Sequence, residues 1–275
     1  MRVGVFYNPF SETCVQFSAA AADWLRARGL DVWRGASYLG RDAKAVDYVD
    51  LVIAVGGDGT VLRAARLAER CGVPILPVAL GRLNFMAELE PDTFYEGVAT
   101  VLDGGGWRDE RTMIEGNVHH VDGSTGVELL ALNEIVMARR DINRIINVDV
   151  RIYDAPLNTY HADGVIVSTA TGSTAYALSA GGPIVDPRSR NIIVVPIAAH
   201  MTSIKSLVLD DDATIQLTLR GRHSAAVYAD GDDHHALQEG DTVAIKRSRR
   251  TCTFARVYPP TEFYSRMTQR LHRDQ

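Results

Sequence analysis

The fold is decided by the stretch Leu51-Val52-Ile53-Ala54-Val55-Gly56-Gly57-Asp58-Gly59-Thr60. Its first five residues are apolar and mostly β-branched, which is typical of a strand buried on both faces of a parallel sheet. The two glycines let the backbone turn sharply, and the residues after Thr60 show helical spacing of apolar side chains. A strand, a glycine turn and a helix in this order predict an α/β domain with its ligand edge at the turn.

The surrounding residues continue this α/β alternation. Strands are expected at 3–7, 30–33 and 74–78, and helices at 15–28, 61–71 and 92–102. The predicted N-terminal domain therefore has a parallel, Rossmann-like sheet.

A glycine cluster marks the predicted domain boundary. Asp103-Gly104-Gly105-Gly106 is the strongest linker signal in the chain, and the residues beyond it are mostly strand-like. We expect an α/β domain over residues 1–106, a mostly β domain over 107–258, and a terminal helix within 259–275 that returns to the first domain. The strand-like runs of the second domain are 127–137, 144–153, 165–168, 192–197, 215–219, 225–229 and 242–245, with one helix at 173–180.

Composition and charge narrow the function classes. With 46% hydrophobic and 23% charged residues, the chain can bury a sizeable core. The formal charge of −5 argues against nucleic acid as a partner, and the basic run at 246–250 is interpreted as a solvated hairpin turn. Three scattered cysteines fit no disulfide framework, and the sequence shows neither a signal-peptide pattern nor an apolar run of about 18 residues. We expect a cytoplasmic protein without membrane contact.

The carboxylate within the glycine turn carries the chemistry. Backbone N–H groups at such a turn, and at the start of the following helix, bind phosphate oxygens. A bound phosphate would repel Asp58 unless this carboxylate has a task of its own, either accepting a proton from an attacking hydroxyl or holding a metal ion. We favour the general base. The turn matches neither the Walker loop nor the dinucleotide fingerprint.

Two segments resemble known kinases. The turn Gly56-Gly57-Asp58-Gly59-Thr60 resembles a signature shared by NAD kinases, diacylglycerol and sphingosine kinases, and 6-phosphofructokinases. The segment DGVIVSTATGSTAYALSAGGPI at 163–184 closely resembles the nucleotide block of NAD kinases, in which hydroxylated residues and the ring of Tyr176 suit a nucleotide. The chain is identified as a member of the NAD kinase family, with a resemblance that runs over residues 3–271.

This resemblance implies a reaction and a set of site residues. The γ-phosphoryl group of ATP would pass to the adenosine 2′-hydroxyl of NAD to give NADP, with Asp58 as the base. A divalent cation, Mg²⁺, and backbone amides would hold the triphosphate, and no residue is assigned as a metal ligand. The residues implied around NAD are Asp58, Gly59, Arg63, Asn133, Glu134, Arg144, His161, Asp163, Thr174, Ala175, Tyr176, Ser179 and Ala198.

Three departures from the family pattern stand out. The chain reads Ala79-Leu80-Gly81-Arg82-Leu83-Asn84-Phe85 in place of NxGxLGF, which predicts an altered loop near the phosphates. It reads Ser203-Ile204-Lys205-Ser206-Leu207 in place of SxRPL, which exchanges a planar guanidinium for a point charge. Ala170 stands where the family has proline.

Other interpretations remain open from sequence. A lipid kinase of the diacylglycerol type would share the glycine turn but should lack the nucleotide block, and the altered 79–84 loop would suit a noncatalytic NAD(P)-binding sensor. Polyphosphate could replace ATP as the donor, and the family tendency to oligomerise implies a homo-oligomer, a dimer or a tetramer. The stretch Asp230-Gly231-Asp232-Asp233-His234-His235 is interpreted as a polar turn rather than a metal site.

Overall fold

The computed structural model describes residues 1–37, 48–80, 84–141, 143–200 and 205–272. The chain divides into two compact units, one formed by Met1–Glu110 with Cys252–Gln275 and the other by Arg111–Thr251. Two long strands, β5 (Trp107–His119) and β16 (Thr242–Arg256), contribute residues to both units. The domain limits expected at residues 106 and 258 remain a prediction.

The first unit is built on a parallel sheet covered by helices. Its further elements are β1 (Arg2–Tyr7), α1 (Glu12–Ala27), β2 (Asp31–Ala36), β3 (Leu51–Gly56), α2 (Asp58–Ala68), β4 (Ile75–Ala79), α3 (Phe94–Leu102) and α5 (Glu262–His272). The strand order is β2-β1-β3-β4, with the end of β16 pairing with β4 at Phe254 and Ile75. All of these pairs are parallel, as the buried run in β3 predicts.

The strand order creates the ligand edge of this unit. The chain leaves β1 towards β2 on one side and returns to β3 on the other side, so a crevice opens at the carboxyl ends of β1 and β3. There the N–H of Asn8 donates to the carbonyl of Val55 at 3.1 Å, which joins the two strand ends. The glycine turn begins at this point because β3 ends at Gly56.

The helices of the first unit are held by a cap and by buried small side chains. Helix α1 begins after Ser11, whose hydroxyl accepts the N–H of Cys14 at 3.3 Å, and it buries Leu25 in the core. The terminal helix α5 returns to this unit, as expected, since Arg266 donates to the carbonyl of Glu88 at 2.8 Å.

The second unit consists of two antiparallel sheets with an apolar core between them. Its further elements are β6 (Glu128–Ala131), β7 (Glu134–Arg139), β8 (Ile146–Ile152), β9 (Ala155–Ala162), β10 (Gly164–Thr169), α4 (Tyr176–Ser179), β11 (Ile192–Ile197), β12 (Leu207–Leu209), β13 (Ile215–Arg220), β14 (Ala225–Ala229) and β15 (Asp232–Leu237). One sheet has the order β12-β11-β10-β7-β14-β15, and β9-β8-β13-β16 are adjacent in the other, where β5 pairs with β16 and β6. The α/β and mostly β fold class predicted from sequence is confirmed.

Some elements differ from the sequence predictions. The run at 127–137 forms two strands, β6 and β7, interrupted at Leu132 and Asn133. The helix expected at 173–180 is a 3-10 turn over Thr171–Thr174 followed by the single turn of α4, because Ala175 adopts φ −101° and ψ −128° between them. The helix after the glycine turn begins at Asp58 instead of residue 61, since the N–H groups of Thr60 and Val61 already donate to the Gly57 carbonyl.

The basic run at 246–250 is not a hairpin turn, and that prediction is wrong. The run lies inside β16, where Ser248 is buried and donates to a carboxylate oxygen of Glu115 at 2.8 Å. Ion pairs of Lys246 with Glu115 and of Arg247 with Asp211, each 3.4 Å long, balance its charge so that the strand continues. Similarly, the polar turn expected at 230–235 ends at Gly231, and β15 begins at Asp232.

None of the helices in the described ranges combines the length and the apolar character needed to span a bilayer.

The segments that depart from the family pattern are only partly described. The residues of these segments that lie outside the described ranges are Gly81, Arg82, Leu83, Ser203 and Ile204.

A buried carboxylate fastens two loops of the second unit. Asp241 is fully buried and accepts hydrogen bonds from the N–H groups of Val121 and Gln238, each 2.9 Å long, and it pairs with Nδ1 of His120 at 2.8 Å. Burial raises the pKa of Asp241, but these hydrogen bonds and the nearby His120 outweigh it, so the pKa lies below its ordinary value of 3.8.

We expect Asp241→Asn to lower the free energy of unfolding at pH 7 by about 1–3 kcal/mol, because a buried N–H loses its charged acceptor. In the folded protein the pKa of Asp241 lies below its ordinary value of 3.8, so the ionised carboxylate stabilises the fold above pH 3.8. This stabilisation is lost as the pH falls from 3.8 through the pKa that Asp241 has in the folded protein. Thermal unfolding from pH 7 to pH 3 should therefore show the two proteins converging. A constant difference in melting temperature over this range would contradict the assignment.

Candidate functional site

The glycine turn passes from β3 directly into α2. Gly56 has φ +154°, and a Cβ built on it would lie 2.5 Å from the Thr60 hydroxyl oxygen and 3.3 Å from the Cβ of Asn8. Gly57 is the N-cap of α2 in an extended conformation, and nothing lies within 4 Å of a Cβ built there. Packing therefore requires the first glycine, whereas the second leaves open space before a helix N-terminus, which favours anions.

The carboxylate of Asp58 is oriented by two consecutive backbone amides. It accepts hydrogen bonds from the N–H of Phe85 at 3.0 Å and from the N–H of Met86 at 3.2 Å, one on each oxygen. Asp58 is only half-buried, and an ionised carboxylate has further lone pairs on each oxygen. The side chain is thus fixed in direction and still able to accept a proton.

Asn84, which replaces a glycine of the family pattern, fastens the same turn. Its Nδ2 donates to the Gly56 carbonyl at 3.0 Å. Only the amide nitrogen can make this contact, because a carbonyl accepts and does not donate. The Oδ1 atom of Asn84 is therefore directed elsewhere, and it is buried without a hydrogen-bond partner among the described residues.

A positive charge lies beside the turn. Arg63 is on α2 one helical turn after Gly59, and its guanidinium nitrogens would be 3.7 and 3.9 Å from a Cβ built on that glycine. A planar guanidinium is able to bind phosphate oxygens in a bidentate manner.

In the second unit, Asp230 holds the predicted Asn133-Glu134 pair. Its carboxylate accepts hydrogen bonds from three consecutive N–H groups, those of Leu132 at 2.9 Å, Asn133 at 2.8 Å and Glu134 at 3.2 Å. These amides lie where the chain passes from β6 to β7, so sheet pairing does not satisfy them all. Asp230 has φ +51°, a strained conformation for a residue with a side chain.

The nucleotide block packs directly on this pair. The carbonyl of Asn133 accepts the N–H of Thr169 at 2.8 Å, and a Cβ on Gly172 would lie only 2.2 Å from that carbonyl oxygen. The 3-10 turn and α4 follow at once, with Ser173 fully buried and its hydroxyl donating to the Ala170 carbonyl at 2.7 Å. The structure thus brings a first group of predicted residues together: Asn133, Glu134, Thr174, Ala175, Tyr176 and Ser179.

Glu134 is an unusual buried acid. Burial, and next the charge of Asp230, raise its pKa to about 8, although the Tyr176 amide acts in the opposite direction. Its Oε2 and the Oδ1 of Asn133 are buried without hydrogen-bond partners among the described residues. Two neighbouring buried oxygens without a hydrogen-bond partner in the described part of the protein indicate a ligand that supplies N–H or O–H donors.

The remaining predicted residues form a second group at the other end of β10. Asp163 precedes this strand and makes a bidentate pair with Arg139 at 3.0 and 3.1 Å. His161 pairs with Asn147 at 2.6 Å, and Ala198 has φ +48° just after β11. Arg144 is exposed before β8, whose first residue pairs with Ala162.

Within one chain this second group does not meet the first. Glu134 pairs with Ser168, five residues along β10 from Asp163. This separation is roughly 16 Å at about 3.3 Å per residue.

Comparisons with known proteins identify the family of this chain. The description "ATP-NAD kinase N-terminal domain" matches residues 38–106, and "ATP-NAD kinase C-terminal domain" matches residues 132–257. A protein of Chloroflexus aggregans named NAD kinase is 52% identical over 273 residues, 99% of each chain. The chain belongs to the NAD kinase family. A Dehalococcoides mccartyi NAD kinase is 35% identical, over 98% of this chain and 95% of its own.

Solved structures share the fold of this NAD kinase family member. Yeast NADH kinase complexed with NADH superposes with a TM-score of 0.88 at 22% identity, covering 98% of this chain and 87% of its own. An Archaeoglobus fulgidus NAD kinase in complex with ATP gives a TM-score of 0.81 at 25% identity and covers 98% of both chains. The family assignment removes the diacylglycerol-type lipid kinase as an alternative.

Sequence reasoning missed the positioning residues of this NAD kinase family member. Asp230 appeared only as part of a turn, and Asn8 was not singled out, although it lies at the end of β1 against Gly56. Asn84 was noted as a departure, but its contact with Gly56 was not foreseen. The available signal for Asn8 was a polar residue directly after a predicted parallel strand, where ligand edges form.

We expect Gly56→Ala to lower the free energy of unfolding by about 1–3 kcal/mol, because the new Cβ clashes with Thr60 in a conformation that L-residues rarely adopt. Gly57→Ala is the matched control, since its Cβ would meet nothing within 4 Å. Denaturant unfolding of both variants checks the contrast. Equal losses of stability would mean that the two glycines are not distinguished by packing.

We expect Glu134→Gln to stabilise the protein at alkaline pH. The carboxyl has a raised pKa of about 8 in the fold against an ordinary value of 4.5, so its favourable contribution is complete below pH 4.5 and is lost as the pH rises through 8. Glutamine stays neutral and avoids this loss, which at about 1.4 kcal/mol per pKa unit should exceed 1 kcal/mol at pH 9. Unfolding experiments at pH 5 should show no such increase in the stability of Glu134→Gln. An equal increase in stability at pH 5 and pH 9 would contradict the raised pKa of Glu134.

Proposed function

We propose that this protein is an NAD kinase that transfers the γ-phosphoryl group of ATP to the adenosine 2′-hydroxyl of NAD, giving NADP and ADP. One observation carries the mechanism: the half-buried Asp58 carboxylate is held in one direction by two amides at the glycine turn. These amides orient the carboxylate at the carboxyl end of β3, where a base would meet the hydroxyl of a bound substrate.

In the proposed step the 2′-oxygen attacks the γ-phosphorus of ATP. Its proton passes to Asp58, and the bond from the γ-phosphorus to the β,γ-bridging oxygen breaks as ADP leaves. The backbone at Gly57 and Gly59, with Arg63 beside it, would meet the phosphates at the helix N-terminus. Positioning and charge neutralisation supply most of the rate in phosphoryl transfer.

The second unit would bind the dinucleotide. The unpartnered oxygens of Asn133 and Glu134 suit the adenine amino group and the ribose hydroxyls, which are donors. The ring of Tyr176 is 44% exposed and offers an apolar face to the nucleotide. We assign Thr174, Ala175 and Ser179, which are close to Tyr176 along the chain, to the same part of the nucleotide. We assign Asp163, His161, Ala198 and Arg144 to the rest of the dinucleotide.

A divalent cation, Mg²⁺, would enter with the triphosphate. Mg²⁺ commonly binds through substrate phosphate oxygens and water, with one or two protein carboxylates. When bound, the cation neutralises phosphate charge. We propose no protein residue as its ligand.

We also propose a cytoplasmic homo-oligomer, a dimer or a tetramer. Support for assembly comes from the two groups of predicted residues, which lie at opposite ends of β10 in one chain. Polyphosphate is an alternative phosphoryl donor, and NADH is an alternative acceptor with the same 2′-hydroxyl. Replacing ATP by polyphosphate, or NAD by NADH, in the assay below tests each of them.

The decisive experiment incubates purified protein with ATP, Mg²⁺ and NAD and measures NADP. We expect Asp58→Asn to reduce kcat by about 10²–10⁴-fold, as loss of a general base does, while the dissociation constant of NAD changes little. Asp103→Asn, an exposed change at the end of α3, is the control. Full activity in Asp58→Asn would refute the base, and NAD binding without any NADP from the unmodified protein would favour a noncatalytic sensor.

A further inference from the structure

A short segment connects the catalytic turn to a buried ion cluster in the first unit. We call residues 84–88 the strap. On one side the strap holds the glycine turn, through the Asn84 side chain on the Gly56 carbonyl and through the N–H groups of Phe85 and Met86 on the Asp58 carboxylate. The direction of Asp58 therefore depends on where the strap lies.

On its other side the strap is held by Arg256. This arginine is buried, and its Nη1 donates to the Met86 carbonyl at 2.9 Å. It also forms ion pairs with Glu88 at 3.1 Å and with Asp109 at 3.0 Å. Met86 is thus bonded in both directions, with its N–H on Asp58 and its carbonyl on Arg256.

The far end of the strap is anchored independently. Both Glu88 and Leu89 donate their N–H groups to the Pro77 carbonyl of β4, at 3.0 and 3.1 Å. The Glu88 carboxylate accepts the N–H groups of Val257 and Tyr258, each at 2.7 Å. Arg266 also donates to the Ala87 and Glu88 carbonyls, at 3.4 and 2.8 Å. With this end fixed, the contact between Arg256 and Met86 holds the part of the strap that carries an amide of Asp58.

We propose that Arg256 is a positioning residue that holds Asp58 in its catalytic orientation through the strap. The inference rests on the proposed role of Asp58 as the base. Arg256 can do this because a planar guanidinium offers five donors in a rigid arrangement, enough to bind two carboxylates and a carbonyl at once. Removal of the guanidinium would leave two buried carboxylates without their cationic partner, which would disturb the structure around the strap.

Arg256→Lys is the sharpest test, because lysine retains the charge but is a point donor on a flexible stem. We expect kcat for NADP formation to fall by about 10-fold to 100-fold, as small misplacements of a catalytic group do. The KM values for NAD and ATP should stay within about twofold, since neither substrate is bound by Arg256. Hydrogen–deuterium exchange of the strap amides should become faster than in the unmodified protein.

Asp241→Asn is the matched control, because it also breaks a buried carboxylate network but makes no contact with the strap in the described structure. It should lower the melting temperature while leaving kcat and strap exchange unchanged. Asp109→Asn provides a second variant if Arg256→Lys does not fold, since it removes one partner of Arg256 and leaves the Met86 contact in place. We expect it to reduce kcat and to speed strap exchange in the same direction.

The outcomes separate this inference from the proposed function. Unchanged kcat in Arg256→Lys, beside an inactive Asp58→Asn, would overturn the positioning role alone. An equal fall of kcat in the Asp241→Asn control would also overturn it, because a general loss of stability would then explain the effect. Full activity in Asp58→Asn would overturn the base and, with it, the role of Arg256.

Discussion

Buried backbone amides must find acceptors, and at two places where this chain leaves a sheet the acceptor is an aspartate carboxylate. Asp58 takes the amides of Phe85 and Met86, and Asp230 takes three successive amides that end at Glu134. Each aspartate is distant in sequence from the amides it satisfies. In both units, therefore, the position of a site residue is determined by a long-range contact between one side chain and a run of backbone.

The same interaction has different consequences in the two units because the surroundings differ. Asp230 is buried beside Glu134, and the burial of Glu134, together with the charge of Asp230, raises the pKa of Glu134 to about 8. Near neutral pH this acid is mostly protonated in the protein without ligand. A ligand that donates hydrogen bonds favours the ionised form, so we expect nucleotide binding to be coupled to proton release around this residue.

The sequence predicts those parts of the molecule that depend on local pattern. The buried run of β3, the glycine turn and the alternation of the first hundred residues all follow from apolar spacing and from glycine, and the family resemblance adds the nucleotide block. Asp230 and Arg256 could not be found in this way, because their partners lie about a hundred residues or more away. The hairpin turn predicted for the basic run within β16 is wrong for a related reason. The charges of this run are balanced by Glu115 and Asp211, which are close to it only in the folded chain.

The contrast between the two aspartates also explains why we propose Asp58, and not Asp230, as the base. Asp230 is buried, and its carboxylate accepts three consecutive amides, an arrangement that holds the backbone in place. Asp58 is half-buried, accepts two amides, and lies at the sheet edge where Gly57 leaves open space for a ligand. A base must be held in one direction and must also lie within reach of the proton that it accepts. The half-buried position of Asp58 and its two orienting amides meet both demands, provided that the strap keeps these amides in place.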